Sequence, residues 1–411
     1  VIGPGALATA AVELARRADT WWGRRLRPDA RHVVFDARTA MEYAMMAPLH
    51  RALTADRRVR LSLMSSERPD QVGLIYRDAT PGASVLSPRA ALASKVDAYV
   101  AADLLWATLP RGARRIQVFH GVAGKYGDMY DRPDTSMRHW HRLFFINRRR
   151  MQNFVASGAV DAGSPAARLV GMPKVDCLVD GSLRRDAILS AHGIDPASRT
   201  VLYAPTWTPF SSLNAHGEAL VEALGRAGLT VLVKLHENSR DPRAVNSGGV
   251  DWIARLRPIL ERHGGVLVHD SDASRWLVAA DVLVTDHSSV GFEYLLLDRP
   301  LVRIEMPELL RRTSIPPEYV ALMAQAATTA HDAASTLEAV ERGIADPRAG
   351  SRERRAVAED LFHAPGTATA RALGEMYAVL ELEAPAHAQV AAAPAANGLP
   401  GLSASGLGAP R

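Results

Sequence analysis

Ala280-Asp281-Val282-Leu283-Val284-Thr285-Asp286-His287-Ser288-Ser289-Val290-Gly291-Phe292-Glu293-Tyr294 reads as a strand, a polar turn and the start of a helix. Val282 to Val284 has the apolar run of a buried strand, and a helical pattern from Val290 to Leu297 follows at once. In an open α/β sheet, ligands bind beyond the carboxyl ends of the strands. A helix start at that place offers unpaired N–H groups and a positive dipole end to an anion. Ser288 and Ser289 add hydroxyl donors, and Asp286 or Ser288 can cap the helix. Glu293, one turn beyond Ser289, can reach a sugar hydroxyl. The stretch predicts an α/β fold and a seat for the phosphates of a nucleotide-linked donor.

Strand and helix patterns alternate on both sides of it. The first series has strands at His32 to Asp36, Val59 to Leu63, Gly73 to Tyr76, Ala98 to Ala101 and Ile116 to Phe119, with a helix at Met41 to Leu53. The second has strands at Thr200 to Tyr203, Thr230 to Leu235, Val266 to Val268, Val282 to Thr285 and Leu301 to Ile304. Helices at Gly217 to Ala227 and Asp272 to Ala279 separate some of these. Alternation of this kind gives parallel sheets with crossovers. Two such series predict two doubly wound domains facing a central cleft. The boundary is expected after the turn-rich Gly171-Met172-Pro173-Lys174. The resulting division is a basic N-terminal helix (1–30), a first Rossmann-like domain (31–175), a second (176–383), and an Ala/Pro/Gly tail (384–411) expected to be disordered.

With 411 residues, 47% hydrophobic and 23% charged, the chain can bury two ordinary cores. A net charge of +5 suits an anionic partner but is too mild over this length to argue for nucleic acid. One cysteine, Cys177, excludes intramolecular disulfides and a cysteine-rich metal site, and points to a reducing, cytoplasmic setting. No apolar stretch of about 18 residues is present to span a bilayer. A signal peptide is not expected, because the arginines follow rather than precede the first apolar residues. In the N-terminal helix, Trp21 and Trp22 stand among Arg16, Arg17, Arg24, Arg25 and Arg27. That pattern suits an anionic membrane surface, but the plainer reading is a helix that docks its tryptophans on the first domain.

Three further loops follow strand ends. Gln117-Val118-Phe119-His120-Gly121 delivers His120 to the sheet edge, and Gly121 lets the backbone turn there. A histidine at that place can take a proton from a hydroxyl near neutrality, or simply be hydrogen-bonded in the turn. Leu202-Tyr203-Ala204-Pro205-Thr206-Trp207-Thr208 is stiffened by Pro205 and offers the hydroxyls of Thr206 and Thr208; Trp207 can stack on a base or pack in a core. In Val233-Lys234-Leu235-His236-Glu237, alternation puts Lys234 and His236 on one side, where they could neutralise charge on a departing phosphate, or be simply a surface lysine beside a helix-capping histidine. No P-loop, no G-x-G-x-x-G after the first strands, no H-E-x-x-H and no G-x-S-x-G is present.

In this order, His120-Gly121, Gly171-Met172-Pro173-Lys174-Val175-Asp176, Tyr203-Ala204-Pro205-Thr206-Trp207, Lys234-Leu235-His236 and Asp286-His287-Ser288-Ser289 resemble the CDP-glycerol glycerophosphotransferases, the teichoic-acid polymerases and primases. The resemblance spans about residues 115–305. It implies a GT-B architecture with the donor held mainly by the second domain. It also implies transfer of glycerol phosphate, or a related polyol phosphate, from a CDP-linked donor to an acceptor hydroxyl, with release of CMP. His120 and His236 would be catalytic; Gly121, Pro205, Thr206, Lys234, Asp286, Ser288, Ser289 and Glu293 would bind donor. No metal and no separate cofactor is expected, CDP-glycerol being the donor substrate. The acceptor would be a lipid-linked or polymeric cell-surface chain, and the protein would sit in the cytoplasm on the inner membrane face. This chain departs from the usual pattern at Glu237, His287 and Val122-Ala123-Gly124-Lys125.

The basic, aromatic run from Arg138 to Arg150 reads as an amphipathic helix with a solvated basic face, or as a guide for a phosphate-rich acceptor. A nucleotide-sugar glycosyltransferase, a nucleotide-sugar 2-epimerase and an inactive nucleotide- or membrane-binding scaffold are the alternative functions.

Overall fold

A computed structural model describes residues 4–26, 30–80, 82–102, 112–122, 135–313 and 315–389. Two compact units divide the chain: Val1–His120, Arg132–Lys174 and His363–Arg411 form one, and Gly121–Asp131 with Val175–Phe362 form the other. Each carries its own parallel sheet.

In the first unit the strands are β1 (Arg31–Asp36), β2 (Val59–Met64), β3 (Ser84–Val85), β4 (Ala98–Ala101), β5 (Arg114–Val118), β6 (Arg142–Phe145) and β7 (Ala167–Leu169). Their order across the sheet is β3-β2-β1-β4-β5-β6-β7. The second unit has β8 (Thr200–Tyr203), β9 (Thr230–Lys234), β10 (Val266–Val268), β11 (Val282–Thr285), β12 (Leu301–Ile304) and β13 (Thr328–Ala330), ordered β10-β9-β8-β11-β12-β13. Every pairing is parallel. In each sheet the order reverses beside its first strand, at β1/β4 and at β8/β11. Those are the switch points at which an open α/β sheet leaves room for a ligand. Two doubly wound Rossmann-like units with these orders are the GT-B fold class.

The strands of the second unit are apolar on both faces because helices cover both. Val201, Val231, Val233, Val282 and Val284 share one core cluster with Leu220 and Leu224 of the Ser212–Arg226 helix, Leu256 and Leu260 of Trp252–Arg262, and Val340 of Ala333–Ala345. The alternate residues Leu202, Leu232 and Leu283 are fully buried as well.

Four sequence expectations are corrected. Gly73 to Tyr76 is a helical turn, Val72–Ile75, not a strand; its short apolar run has no periodicity to separate the two. The run from Arg138 to Arg150 is not one amphipathic helix. It holds the buried strand β6, with Leu143, Phe144 and Phe145 in the core, between a 3₁₀ turn and the Arg148–Ala156 helix. Arg142 is paired with Glu375 at 2.7 Å and Arg150 is buried, while Arg138, His139 and Arg148 remain exposed on either side of the strand.

The second unit also ends earlier than 383. The chain from His363 returns to the first unit, where the Ala368–Leu380 helix is bolted down by polar contacts. The Arg371 Nε donates to Val170 O at 2.8 Å, Glu375 pairs with both Arg142 and Arg168, and the Tyr377 hydroxyl donates to Asp56. These partners lie about 200 or more residues apart in sequence, beyond any local pattern. Finally, the segment 384–411 is not uniformly without structure: Ala386–Ala388 forms a 3₁₀ turn with Ala388 buried, while 390–411 lie outside the described residues.

Gly171 is where the chain leaves the first sheet. Its φ is +94°, and a Cβ there would stand 2.5 Å from His363 O and 2.9 Å from the Ala368 Cβ. Gly171→Ala is therefore expected to destabilise the first unit by at least about 2–3 kcal/mol, adding left-handed strain to a backbone clash. A urea unfolding curve followed in that unit measures it; a shift below about 0.5 kcal/mol would mean that the turn gives way freely.

Candidate active site

The sequence-predicted residues fall at the carboxyl ends of strands in their respective units. In the first unit, His120 follows β5 by two residues and is exposed. Its Nδ1 lies 2.9 Å from Ala102 O, just past the end of the neighbouring strand β4. A carbonyl only accepts, so Nδ1 carries the hydrogen and the neutral ring has its lone pair on Nε2. The backbone is held too: the buried Arg150 donates to His120 O at 3.2 Å while its guanidinium lies over Phe119, 4.7 Å from the ring centroid. Gly121 follows at φ +74°, the left-handed conformation that turns the chain away from the sheet.

In the second unit, the β8 and β11 loops meet at the switch point. Asp286, 1% exposed, accepts from Thr206 N at 2.8 Å and from both the N–H and the hydroxyl of Ser212 at 3.1 Å. The Thr206 hydroxyl donates to His287 O, and the Thr285 hydroxyl donates to Ala204 O. Asp286 thus ties the Pro205–Thr206 turn and the start of the Ser212–Arg226 helix to the β11 end. Its carboxylate is occupied as a clamp rather than aimed at a ligand. Within this loop Thr208 adopts φ +147°, a strained backbone of the kind that gathers at ligand sites.

Ser288 and Ser289 are half-buried at the start of the Ser289–Tyr294 helix, with Ser288 at the N-cap. That helix is short and continues as a 3₁₀ turn, Leu295–Leu297, instead of running unbroken from Val290 to Leu297. An anion seated there would rely on nearby N–H and hydroxyl groups more than on an accumulated dipole. Glu293 is buried at 2% exposure.

Lys234 ends β9 and is buried; His236 lies two residues on and is half-buried. The Asn238 N–H donates to His236 Nδ1 at 3.1 Å. An accepting Nδ1 holds the lone pair, so the neutral ring carries its hydrogen on Nε2. Trp207 stands beside this imidazole, ring centroids 6.0 Å apart and planes inclined by 30°. The two histidines therefore have opposite tautomers: His120 presents an acceptor at Nε2, His236 a donor.

Sequence reading missed Arg150, Asn238 and Ser212. Arg150 did carry a signal: Asn147, whose side chain caps the helix by accepting from Arg150 N at 2.7 Å, is a preferred N-cap residue before the arginine run.

A sequence model of the family described as CDP-glycerol:poly(glycerophosphate) glycerophosphotransferase matches residues 96–364, which is more than half of the chain. The chain belongs to that family. It is a CDP-glycerol glycerophosphotransferase-like transferase. The wall teichoic acid polymerase TagF superposes with a TM-score of 0.63 at 15% identity, covering 86% of this chain and 90% of TagF. One matched TagF structure is a histidine variant soaked with CDPG. The S. aureus MnaA–UDP co-structure gives a TM-score of 0.55 at 14% identity over 86% of this chain and 99% of that one. A UDP-N-acetylglucosamine 2-epimerase gives 0.54 at 14% identity over 85% and 95%. At such identities these structures support the fold of the glycerophosphotransferase and no more. No curated protein sequence matches it.

Proposed function

We propose that the protein transfers glycerol phosphate, or a related polyol phosphate, from a CDP-linked donor to a hydroxyl of a lipid-linked or polymeric acceptor, releasing CMP. The observation that carries the mechanism is the pair of opposite Nδ1 partners, Ala102 O at His120 and Asn238 N–H at His236, from which opposite tautomers follow. His120 Nε2 accepts the acceptor's hydroxyl proton as the new oxygen–phosphorus bond forms. The bond from that phosphorus to the bridging oxygen breaks, and the electron pair leaves with CMP. His236, with its Nε2 hydrogen, and the Lys234 ammonium stabilise charge on the transferring phosphoryl group and the departing phosphate. Transfer of this kind depends on positioning and charge stabilisation, with no covalent enzyme intermediate needed. Neither a metal nor a separate cofactor has a role in it.

Donor diphosphate is assigned to Ser288, Ser289 and the Pro205–Thr206 turn, and the ribose hydroxyls to Glu293. Gly121 lets the chain approach the substrate closely. Asp286 supports these groups as the clamp described above. The uridine-dependent readings share the fold, so nucleotide preference separates them. CDP-glycerol, CDP-ribitol, CMP, UDP and UDP-sugars are compared by thermal shift. At 100 times its dissociation constant a specific ligand stabilises by roughly 2.7 kcal/mol. A shift with the cytidine ligands alone is the expected result; a shift with UDP-sugars and none with CDP-glycerol would overturn the assignment.

On the same reading the protein works at the cytoplasmic face of the cell membrane, bound to anionic lipid by its N-terminal helix. Trp21 and Trp22 are 54% and 55% exposed, which favours this over docking of the tryptophans on the first unit. Among the described residues, no helix is long and apolar enough to cross a membrane.

A further inference from the structure

A cavity of about 330 Å³ opens at the amino edge of the first sheet. Its walls include Arg31 at the start of β1, Arg114 at the start of β5, Lys95 and Asp97 just before β4, and Arg16 of the Pro4–Leu26 helix. Four cations, Arg16, Arg31, Lys95 and Arg114, stand against two carboxylates, Asp97 and Glu381. The frame is built rather than loose. Arg31 Nε donates to Leu380 O at 3.0 Å, Lys95 pairs with Asp97 at 2.9 Å, and Asp19 of the helix accepts from Lys95 N at 2.7 Å. The volume is in the range of small-molecule pockets, roughly 300–1,000 Å³.

The helix that walls this cavity docks by its polar side. Glu13, Arg16 and Thr20 are half-buried, and Arg16 pairs with Glu13 at 2.7 Å. Leu14, Ala18, Trp21 and Arg25, at spacings of four, three and four, share the opposite face. Leu14 is 71% exposed there, and the Arg25 guanidinium lies 5.4 Å from the Trp21 ring centroid. Leu92, on the Pro88–Ala93 helix that packs against this one, is also exposed. An apolar, aromatic stripe turned outward beside arginines suits the headgroup zone of a bilayer. The cationic cavity lies against the other, docked face of the same helix, walled by Arg16 and Thr20.

We propose that this cavity receives the phosphate of an anionic phospholipid headgroup while Leu14, Trp21 and Trp22 enter the lipid. The inference rests on the membrane reading above and adds a site to it. Arginine binds phosphate through paired N–H donors, and Arg16, Arg31 and Arg114 converge on one space. The site is separate from the reaction: β5 begins at the cavity and leads to His120, roughly 20 Å further on at the usual rise per residue. A headgroup held here anchors the protein and is not the group that accepts phosphate.

The test titrates the full chain, without donor, with monomeric short-chain phosphatidylglycerol, short-chain phosphatidylcholine and inorganic phosphate in a calorimeter. Sedimentation with anionic and neutral vesicles runs in parallel. Phosphatidylglycerol should bind most tightly, and Arg16→Gln with Arg114→Gln should weaken it by about tenfold or more. Arg114→Gln alone, on an exposed side chain, should act in the same direction with circular dichroism unchanged. Trp21→Ser with Trp22→Ser should leave monomer binding intact and abolish sedimentation with anionic vesicles. Inorganic phosphate or phosphatidylcholine binding as tightly as phosphatidylglycerol would overturn the proposal, as would unaltered affinity in the arginine variants. Monomer binding without vesicle binding by the wild type would also overturn the proposal, since Leu14, Trp21 and Trp22 would then not enter lipid. None of these readouts depends on turnover, so failure of the proposed reaction would be seen separately.

Discussion

His120→Ala is expected to lower turnover with CDP-glycerol and a hydroxyl acceptor by about 10²–10⁴-fold, the usual contribution of a general base. Donor affinity should change little, because the role assigned to His120 is toward the acceptor. His120→Asn sharpens the test. Its amide can still donate to Ala102 O, where Nδ1 sits at 2.9 Å, but it has no nitrogen lone pair to take a proton. If His120 only held the turn together, the asparagine variant would work nearly as well as the wild type. As a base, it makes both variants equally slow. Initial rates at saturating donor decide, and near wild-type turnover in either variant would end the assignment.

Asp286→Ala is expected to cost about 3–5 kcal/mol, since it strips a buried, charged acceptor from three donors at once. Thr206 N, Ser212 N and the Ser212 hydroxyl would be left without their carboxylate. The loss should appear in a urea unfolding curve. It should also appear as faster amide exchange at Thr206 and Ser212, with donor binding lost as the two loops part. Asp286→Asn separates support from ligation. Its one remaining carbonyl oxygen can serve part of the clamp, so stability and donor affinity should fall together and by less. A variant of normal stability that fails to bind donor would instead make Asp286 a direct ligand.

Much of the fold was legible because parallel strands buried on both faces are short apolar runs closed by turn residues. Val282 to Thr285, Thr200 to Tyr203 and Ala98 to Ala101 have the same bounds in sequence and structure. The strands that escaped were β7, β13 and β3, whose Ala-Arg-Leu, Thr-Thr-Ala and Ser-Val lack the apolar run that marks the similarly short β10. β6 escaped because its four residues lie between arginines that suggested a helix face. The return of the Ala368–Leu380 helix to the first unit was invisible, since its buried arginine and glutamate contacts look like surface charge in a linear reading.

At the site, sequence named the loops but not the division of labour inside them. Asp286 stood beside Ser288 and Ser289 as one more polar residue of a phosphate-binding turn. Its three hydrogen bonds make it the piece that joins two loops. His120 and His236 were alike as candidates until their Nδ1 partners, Ala102 O and Asn238 N–H, set the two rings in opposite tautomers.

Sequence alone determined the α/β class, the parallel strands that carry the motif loops, and the chemistry that set of residues resembles. Those properties are written in local hydrophobic pattern and residue type. Tertiary structure decided which nitrogen of each histidine holds its proton, which carboxylate is structural, and which face of the N-terminal helix looks outward. Each of these turns on a partner distant in sequence or on a contact between elements. Apolar periodicity and local residue type do not encode such contacts.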